Sequence, residues 1–333
     1  MNWTDALPAG YVGLQAEPDD LGEVNHLVQT VETDIQGSST STEDALRTTF
    51  GEPGFDPATD IISVRDANGT LAGLATFTSR EPYVSSWTTG WVHPDHVGRG
   101  IGGALIDWAE ERARSRIDLA PPDTRVATSM GANDRSERGK RLLASRGYTV
   151  ARYFLEMEIE LDHAIEVPPV PEGITLRTMR PDEDVTDLSV AVTDAFRDHF
   201  GYTDSPPEKR IERWRQWRTS EMWDDELVWL AEDETGIVGI NVCLREHGSK
   251  LDQGYVATLG VLPRRRGIGL ARCLLLTSFA EYQAGGKASV SLHVDADSIT
   301  GATRLYTGVG MHEVETEIDF ELEIREGKDI VVR

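Results

Sequence analysis

The chain has 333 residues, of which 39% are hydrophobic, and 57 acidic against 33 basic residues give a formal net charge of −24. That length suits two domains or one large one, the apolar content excludes global disorder, and the acidic excess argues against a nucleic-acid partner, whose phosphates need Lys and Arg. No apolar run approaches the ~18 residues of a membrane span, and Met1–Asp20 lacks the basic and apolar regions of a secretory signal, so a soluble cytoplasmic protein is expected.

In chain order the sequence repeats itself. Pro8-Ala9-Gly10 and Pro18-Asp19-Asp20 recur as Pro171-Glu172-Gly173 and Pro181-Asp182-Glu183. Ile61–Val64, an acidic turn and Gly69–Gly73 predict a strand, a tight turn and a second strand, and Leu227–Leu230 followed by Gly236–Gly239 predicts the same. Arg99-Gly100-Ile101-Gly102 precedes a helical pattern with Leu105, Trp108 and Arg112. Arg266-Gly267-Ile268-Gly269 precedes Leu270, Leu274 and Phe279. Arg141-Leu142-Leu143 through Gly147-Tyr148 matches Arg304-Leu305-Tyr306 through Gly310-Met311. Each is followed by a predicted strand, Tyr153–Leu161 and Glu315–Ile324, in which apolar and acidic residues alternate. The proline-rich seam at Glu166–Gly173 reads as a stiff linker and divides the chain into residues 1–166 and 167–333. Each half predicts a mixed α/β domain. The two cysteines, Cys243 and Cys273, fall in apolar periodic segments and read as small buried hydrophobes, with no metal site expected.

The Gly-rich segments carry the chemistry. A turn that opens a helix presents main-chain N–H groups at its positive end, and glycines let a phosphate approach closely. Arg264, Arg265 and Arg266 add positive charge to an acidic chain, which makes a pyrophosphate site. Gly98 through Gly103 also fits the dinucleotide pattern G-x-G-x-x-G, but it lies about a hundred residues in, and Arg265–Leu270 does not preserve it. No P-loop sequence occurs, and packing glycines at a helix start are the structural alternative.

The run Leu259-Gly260-Val261-Leu262-Pro263 and Arg264-Arg265-Arg266-Gly267-Ile268-Gly269-Leu270-Ala271 resembles the acetyl-CoA signature [QR]-x-x-G-x-[GA] of the GNAT superfamily of N-acetyltransferases. Val294 through Ser298 and Thr303 through Tyr306 are similar to the later part of the family pattern, and Val92, Arg99, Gly100, Ile101, Gly102 and Gly103 repeat the resemblance in the first half. The resemblance spans nearly the whole chain as two copies, like tandem members of the mycothiol synthase type. It implies two GNAT-like domains, each a mixed, mostly antiparallel sheet flanked by helices. It also implies acetyl-CoA held between two parallel strands, a cofactor site at Leu259–Val261, Arg264–Ala271 and Ser298, and direct attack by a small-molecule primary amine. Tyr306 takes the place of the proton donor to the departing thiolate; a packed helix aromatic is its bland alternative.

Departures from the pattern are of two kinds. In the first half Leu143 stands at the position of that tyrosine, and Val97 at the first signature position, which predicts a degenerate copy. In the second half the span from Val261 to Gly267 is six positions against eight from Val92 to Gly100, which predicts a shorter turn. The strand Gly254–Val261 has no carboxylate where many members carry a glutamate base. His199, His293 or Asp295 acting through water, or no base at all, remain open. For the acceptor, His199, Phe200 and Trp214 are the candidate contacts, with Trp217 and Trp223 and with Asp198, Asp224 and Asp225 to cradle a cation. Packing of the tryptophans onto the sheet is the alternative. A CoA-binding sensor without turnover and a mycothiol-synthase-like thiol glycoside acceptor are the competing functions. The expected partner is a small molecule, with no nucleic acid and no membrane, for a monomeric pseudo-dimer or a homodimer.

Overall fold

The computed structural model describes residues 3–15 and 21–333, so the repeated Pro18-Asp19-Asp20 lies outside the described residues. The first half forms β1 (Tyr11–Gln15), α1 (Leu21–Gln36), α2 (Glu43–Phe50), α3 (Pro57–Asp60), β2 (Ile61–Asp66), β3 (Leu71–Ser79), β4 (Ser85–Val92), α4 (Ile101–Ser115), β5 (Val126–Asn133), α5 (Glu137–Ser145) and β6 (Thr149–Glu160). The second half forms β7 (Thr175–Thr178), α6 (Val185–Phe196), α7 (Pro207–Trp217), β8 (Trp223–Asp233), β9 (Gly236–Leu244), β10 (Gln253–Val261), α8 (Leu270–Ala284), β11 (Ser289–Asp295), α9 (Ala302–Gly308) and β12 (His312–Arg325). Among the described residues no helix is long and apolar enough to cross a membrane, and both cysteines are buried and unpaired.

The chain divides into two compact units that do not coincide with the halves. The first is Met1–Arg152 with Glu317–Val331, and the second is Tyr153–Thr316 with Val332–Arg333. Each unit takes its last strand from the other half. In the first unit the strand order is β1-β2-β3-β4-β5-β12, with Ile318 opposite Ala132 and Phe320 opposite Met130. In the second it is β6-β11-β10-β9-β8-β7, with Met157 opposite Leu292 and Ile159 opposite Val290. Segment 153–166, assigned above to the first domain, therefore belongs to the second unit, and 317–331 to the first. Both strands alternate apolar and acidic residues, so each lays one greasy face on a core. Met157 and Ile159 join Leu275, Phe279 and Leu292, whereas Ile318 and Phe320 join Phe77, Leu105 and Trp108.

Within each sheet one pair is parallel, β4 with β5 and β10 with β11, and the other pairs with a described register are antiparallel. In the second unit α6 and α8 cover opposite faces. A Cβ on Gly260 would meet Phe196 and Ala195, while one on neighbouring Gly239 would meet Leu274 and Leu270.

Candidate active site

Strands β10 and β11 pair from Gln253↔Ser289 to Val256↔Leu292 and then part. Beyond that point β10 stays on β9 as far as Val261↔Gly239, and β11 stays on β6 as far as Asp295↔Phe154. The ladder between β9 and β10 slips between Val256 and Thr258, which leaves Ala257 as an extra residue. Such a bulge bends the strand and strengthens its twist. The result is a cleft between Ala257–Val261 and His293–Asp295 whose facing main-chain groups are not used by this pair. Leu259, Gly260 and Val261 form one of its walls.

After β10 a 3-10 turn (Pro263–Arg265) leads into Gly267 and Gly269, with φ of +81° and +83°. No protein atom lies within 4 Å of a Cβ built at either. Gly269 caps α8 without a side chain, so the first amides of that helix, at Leu270 and Ala271, point outward beside Ile268. This cradle suits a diphosphate. The three arginines differ. Arg265 is bound to Asp233 at 2.7 Å, and Arg266 to Asp198 at 2.7 Å and to the Ala195 carbonyl at 2.8 Å, which ties the end of α6 to β10. Arg264 donates to the neutral Thr235 hydroxyl at 2.7 Å, and among the described residues no carboxylate neutralises its charge. Ser298 lies on the connection from β11 to α9, with its hydroxyl 3.0 Å from that of Thr300.

Tyr306 on α9 is 6% exposed and packs in the cluster that contains Leu292 and Val294, on the α8 face of the sheet. Among the described residues its hydroxyl has no hydrogen-bond partner. Burial raises its pKa, so it remains a neutral phenol, a proton donor at neutral pH.

The opposite, α6-covered face of the cleft is polar. Tyr255, Ser291, His293 and Glu156 share it by register. His199, on the connection from α6 to α7, feels the charges of Asp198, Arg266 and Asp295. Burial lowers its pKa, and among the described residues its buried Nε2 has no hydrogen-bond partner. Phe200 is next to it, 6.0 Å from the Arg333 guanidinium. Trp214 is not brought to this mouth but packs edge-on against Trp217 and Trp223, at 5.6 and 6.1 Å. Nor are the three aspartates free to hold a cation, because Asp198 pairs with Arg266, Asp224 with Arg245 and Asp225 with Arg218. Missed at the sequence level were Glu156 and His247, which no motif marks.

The first unit repeats this frame with different contents. Strands β4 and β5 pair from Ser85↔Ala127 to Thr88↔Met130 and then part, but β4 runs along β3 from Ser86 to Val92 with no bulge. Gly98 and Gly100 have φ of +81° and +95°, and Gly100 caps α4 as Gly269 caps α8. The equivalent pairs are therefore Gly98/Gly267 and Gly100/Gly269. The second turn is not shorter, and Asp95, not Val97, stands where Arg264 does. Ile101, Gly102 and Gly103 begin the helix itself, and Arg99 is held by the Tyr11 hydroxyl and the Asp95 carbonyl. Leu143 is buried, and Trp87 and Gly131 occupy the positions of Tyr255 and His293. A Cβ on Gly131 would stand 3.1 Å from the Trp87 ring.

The profile of the Acetyltransferase (GNAT) family matches residues 30–131 and 190–311. The chain is 30% identical over 324 residues to the mycothiol acetyltransferase of Kineococcus radiotolerans, covering 94% of this chain and 97% of that one. It is 31% identical to the enzyme of that name from Frankia casuarinae, over 70% and 67% of the two chains. Among solved structures, a GCN5-related N-acetyltransferase from Sphaerobacter thermophilus superposes with a TM-score of 0.79 at 31% identity, over 97% of this chain and 98% of that one. A tandem GNAT protein from the clavulanic acid biosynthesis pathway shares the fold, with a TM-score of 0.70 at 17% identity over 96% and 99%.

Proposed function

The chain belongs to the Acetyltransferase (GNAT) family, whose members use acetyl-CoA as cosubstrate, and we propose that it acetylates a primary amine of a small molecule with the chemistry in its second unit. The observation that carries this reading is the bulged, parted β10 and β11 ending at Gly267–Gly269, with Tyr306 on one face and a polar mouth on the other.

In this reading the amides from Ile268 to Ala271 bind the diphosphate of acetyl-CoA, Arg264 adds charge, and the parted strand edges hold the thioester arm. The amine enters from the face of Tyr255, His293 and His199. Its nitrogen forms a bond to the acetyl carbon as the C–S bond breaks, and Tyr306 donates a proton to the sulfur from the opposite face. The nitrogen sheds its protons to the mouth and to the phenolate, so an ammonium and a thioester become an amide, a thiol and a released proton. The names of the relatives make the deacetylated thiol glycoside of mycothiol the first acceptor to offer.

The first unit is read as degenerate. Leu143 cannot donate a proton, the Trp87 ring stands over Gly131, and β4 lacks the bulge. Its glycine turn supports a binding or purely structural role.

Thiol release from acetyl-CoA, measured across a panel of primary amines that includes the thiol glycoside, tests the reading. At least one amine is expected to accelerate release, and Tyr306→Phe to slow it about 100-fold or more with KM for acetyl-CoA little changed. If no amine accelerates release, the reading fails and a CoA-binding role without turnover takes its place; if Tyr306→Phe leaves amine-dependent release intact, the proton-donor role of Tyr306 fails.

A further inference from the structure

The missing carboxylate on β10 has a replacement one strand further on. Glu156 lies on β6, the strand that the first half of the chain contributes to the second unit, directly opposite His293. It is 6% exposed, and among the described residues its buried Oε1 makes no hydrogen bond of good geometry. The nearest group is His247 Nδ1 at 3.3 Å, on the connection between β9 and β10. That nitrogen also lies 2.9 Å from the Ser291 hydroxyl and 3.0 Å from Gln253 Oε1, so one N–H faces three acceptors. The buried carboxylate therefore shares a single N–H with two other groups and keeps acceptor capacity facing this polar cluster. The His247 ring stacks on Tyr255 at 4.4 Å, and the Tyr255 hydroxyl reaches His293 Nδ1 at 3.0 Å. His293 itself is exposed at the point where β10 and β11 part.

We propose that His293 accepts the proton of the acceptor amine and that Glu156, delivered by the exchanged strand, is the positioning residue whose charge sustains the resulting imidazolium. The inference rests on the second unit being the site of acetyl transfer. In this proposal the His293 Nδ1–H is donated to the Tyr255 oxygen, and Nε2 is the nitrogen that takes the proton of the amine. It takes one proton from the ammonium there and passes it to solvent, leaving the neutral amine to attack. Facing His293 are Glu156 and Glu158 from β6, Tyr255 from β10, His247 from the β9–β10 connection, and Asp295 from its own strand, while Lys250 on the same connection acts on Glu156. The acid side of this set outweighs Lys250. Glu156 stays ionised at neutral pH: burial pushes its pKa up, but His247, His293 and Lys250 more than offset this. The first unit carries Trp87 and Gly131 at the corresponding positions and has no such pair, which fits a single active copy.

The test uses the full chain and the best amine of the panel. His293→Asn is expected to lower kcat about 100-fold or more with KM for acetyl-CoA unchanged, and to remove the acid limb of kcat/KM for the amine. Glu156→Gln is expected to move that limb to lower pH, because the imidazolium loses a nearby negative charge. Proton NMR is expected to show the His293 ring titrating lower by about half a unit or more in that variant. Tyr255→Phe, which keeps the stacked ring, is expected to change the limb as well and covers a Glu156 variant that folds poorly. Full kcat in His293→Asn, or a His293 titration unmoved by Glu156→Gln, overturns the inference and leaves the transferase reading standing. Failure of every amine in the wild-type chain overturns both.

Discussion

Asp184 at the start of α6 shows how a single residue anchors that helix to β7. It is 2% exposed and receives Arg177 in a two-pronged pair at 2.6 and 2.9 Å, with Arg180 at 3.1 Å. Burial pushes its carboxyl up, but the two guanidiniums prevail and hold it at about 2. Because the folded value lies below the unfolded one, its stabilisation is complete above about pH 4 and fades as pH falls through about 2. Asp184→Asn is therefore expected to cost about 2 kcal/mol at neutral pH. That cost should shrink steadily in urea melts taken from pH 4 down to pH 2.5. Tyr306 was legible at this scale because its place in a repeated Leu-Tyr/Leu-Leu pair is a sequence property. Glu156 was not, because one glutamate in a strand of alternating acids carries no mark until the fold shows which face it lies on.

At the scale of elements, the glycine turn and the parting of β10 from β11 make the cleft. Gly267 and Gly269 have positive φ but face no crowding, so replacement acts through backbone strain and, in the proposed reading, through a Cβ placed where the diphosphate approaches. Gly267→Ala and Gly269→Ala are each expected to cost about 1–2 kcal/mol in stability. KM for acetyl-CoA is expected to rise about tenfold in each, with kcat less affected, in steady-state kinetics. The turn was readable from sequence because glycine spacing and a following apolar helix are local. Its alignment with the first copy was not. Matching Arg99-Gly100 to Arg266-Gly267 put the two copies two residues out of step, and only the backbone, with Gly100 and Gly269 both capping helices, restores it. The bulge at Ala257 also left no trace, since a slip in a ladder depends on the partner strand.

For the whole molecule, the exchange of last strands decides what can fold alone. Residues 1–166 lack the strand that places Ile318 and Phe320 in their core, and residues 167–333 lack the one that places Met157 and Ile159 in theirs. Each half expressed separately is expected to be insoluble or to lack a cooperative thermal transition, while the two halves produced together should recover a folded, active pair. Soluble, cooperatively melting single halves, seen by circular dichroism, would contradict this. The sequence by itself determined the duplication, the mixed α/β class, the glycine turn and the unequal pair Leu143 and Tyr306, because each rests on local spacing or on a repeat. Only the tertiary structure decided which sheet β6 and β12 complete. Both strands alternate apolar and acidic residues, so their local pattern fits either sheet equally, and it is the long-range pairing with β11 and β5 that tells them apart. That same pairing brings Glu156 opposite His293 and gives the second unit the carboxylate its own β10 does not carry.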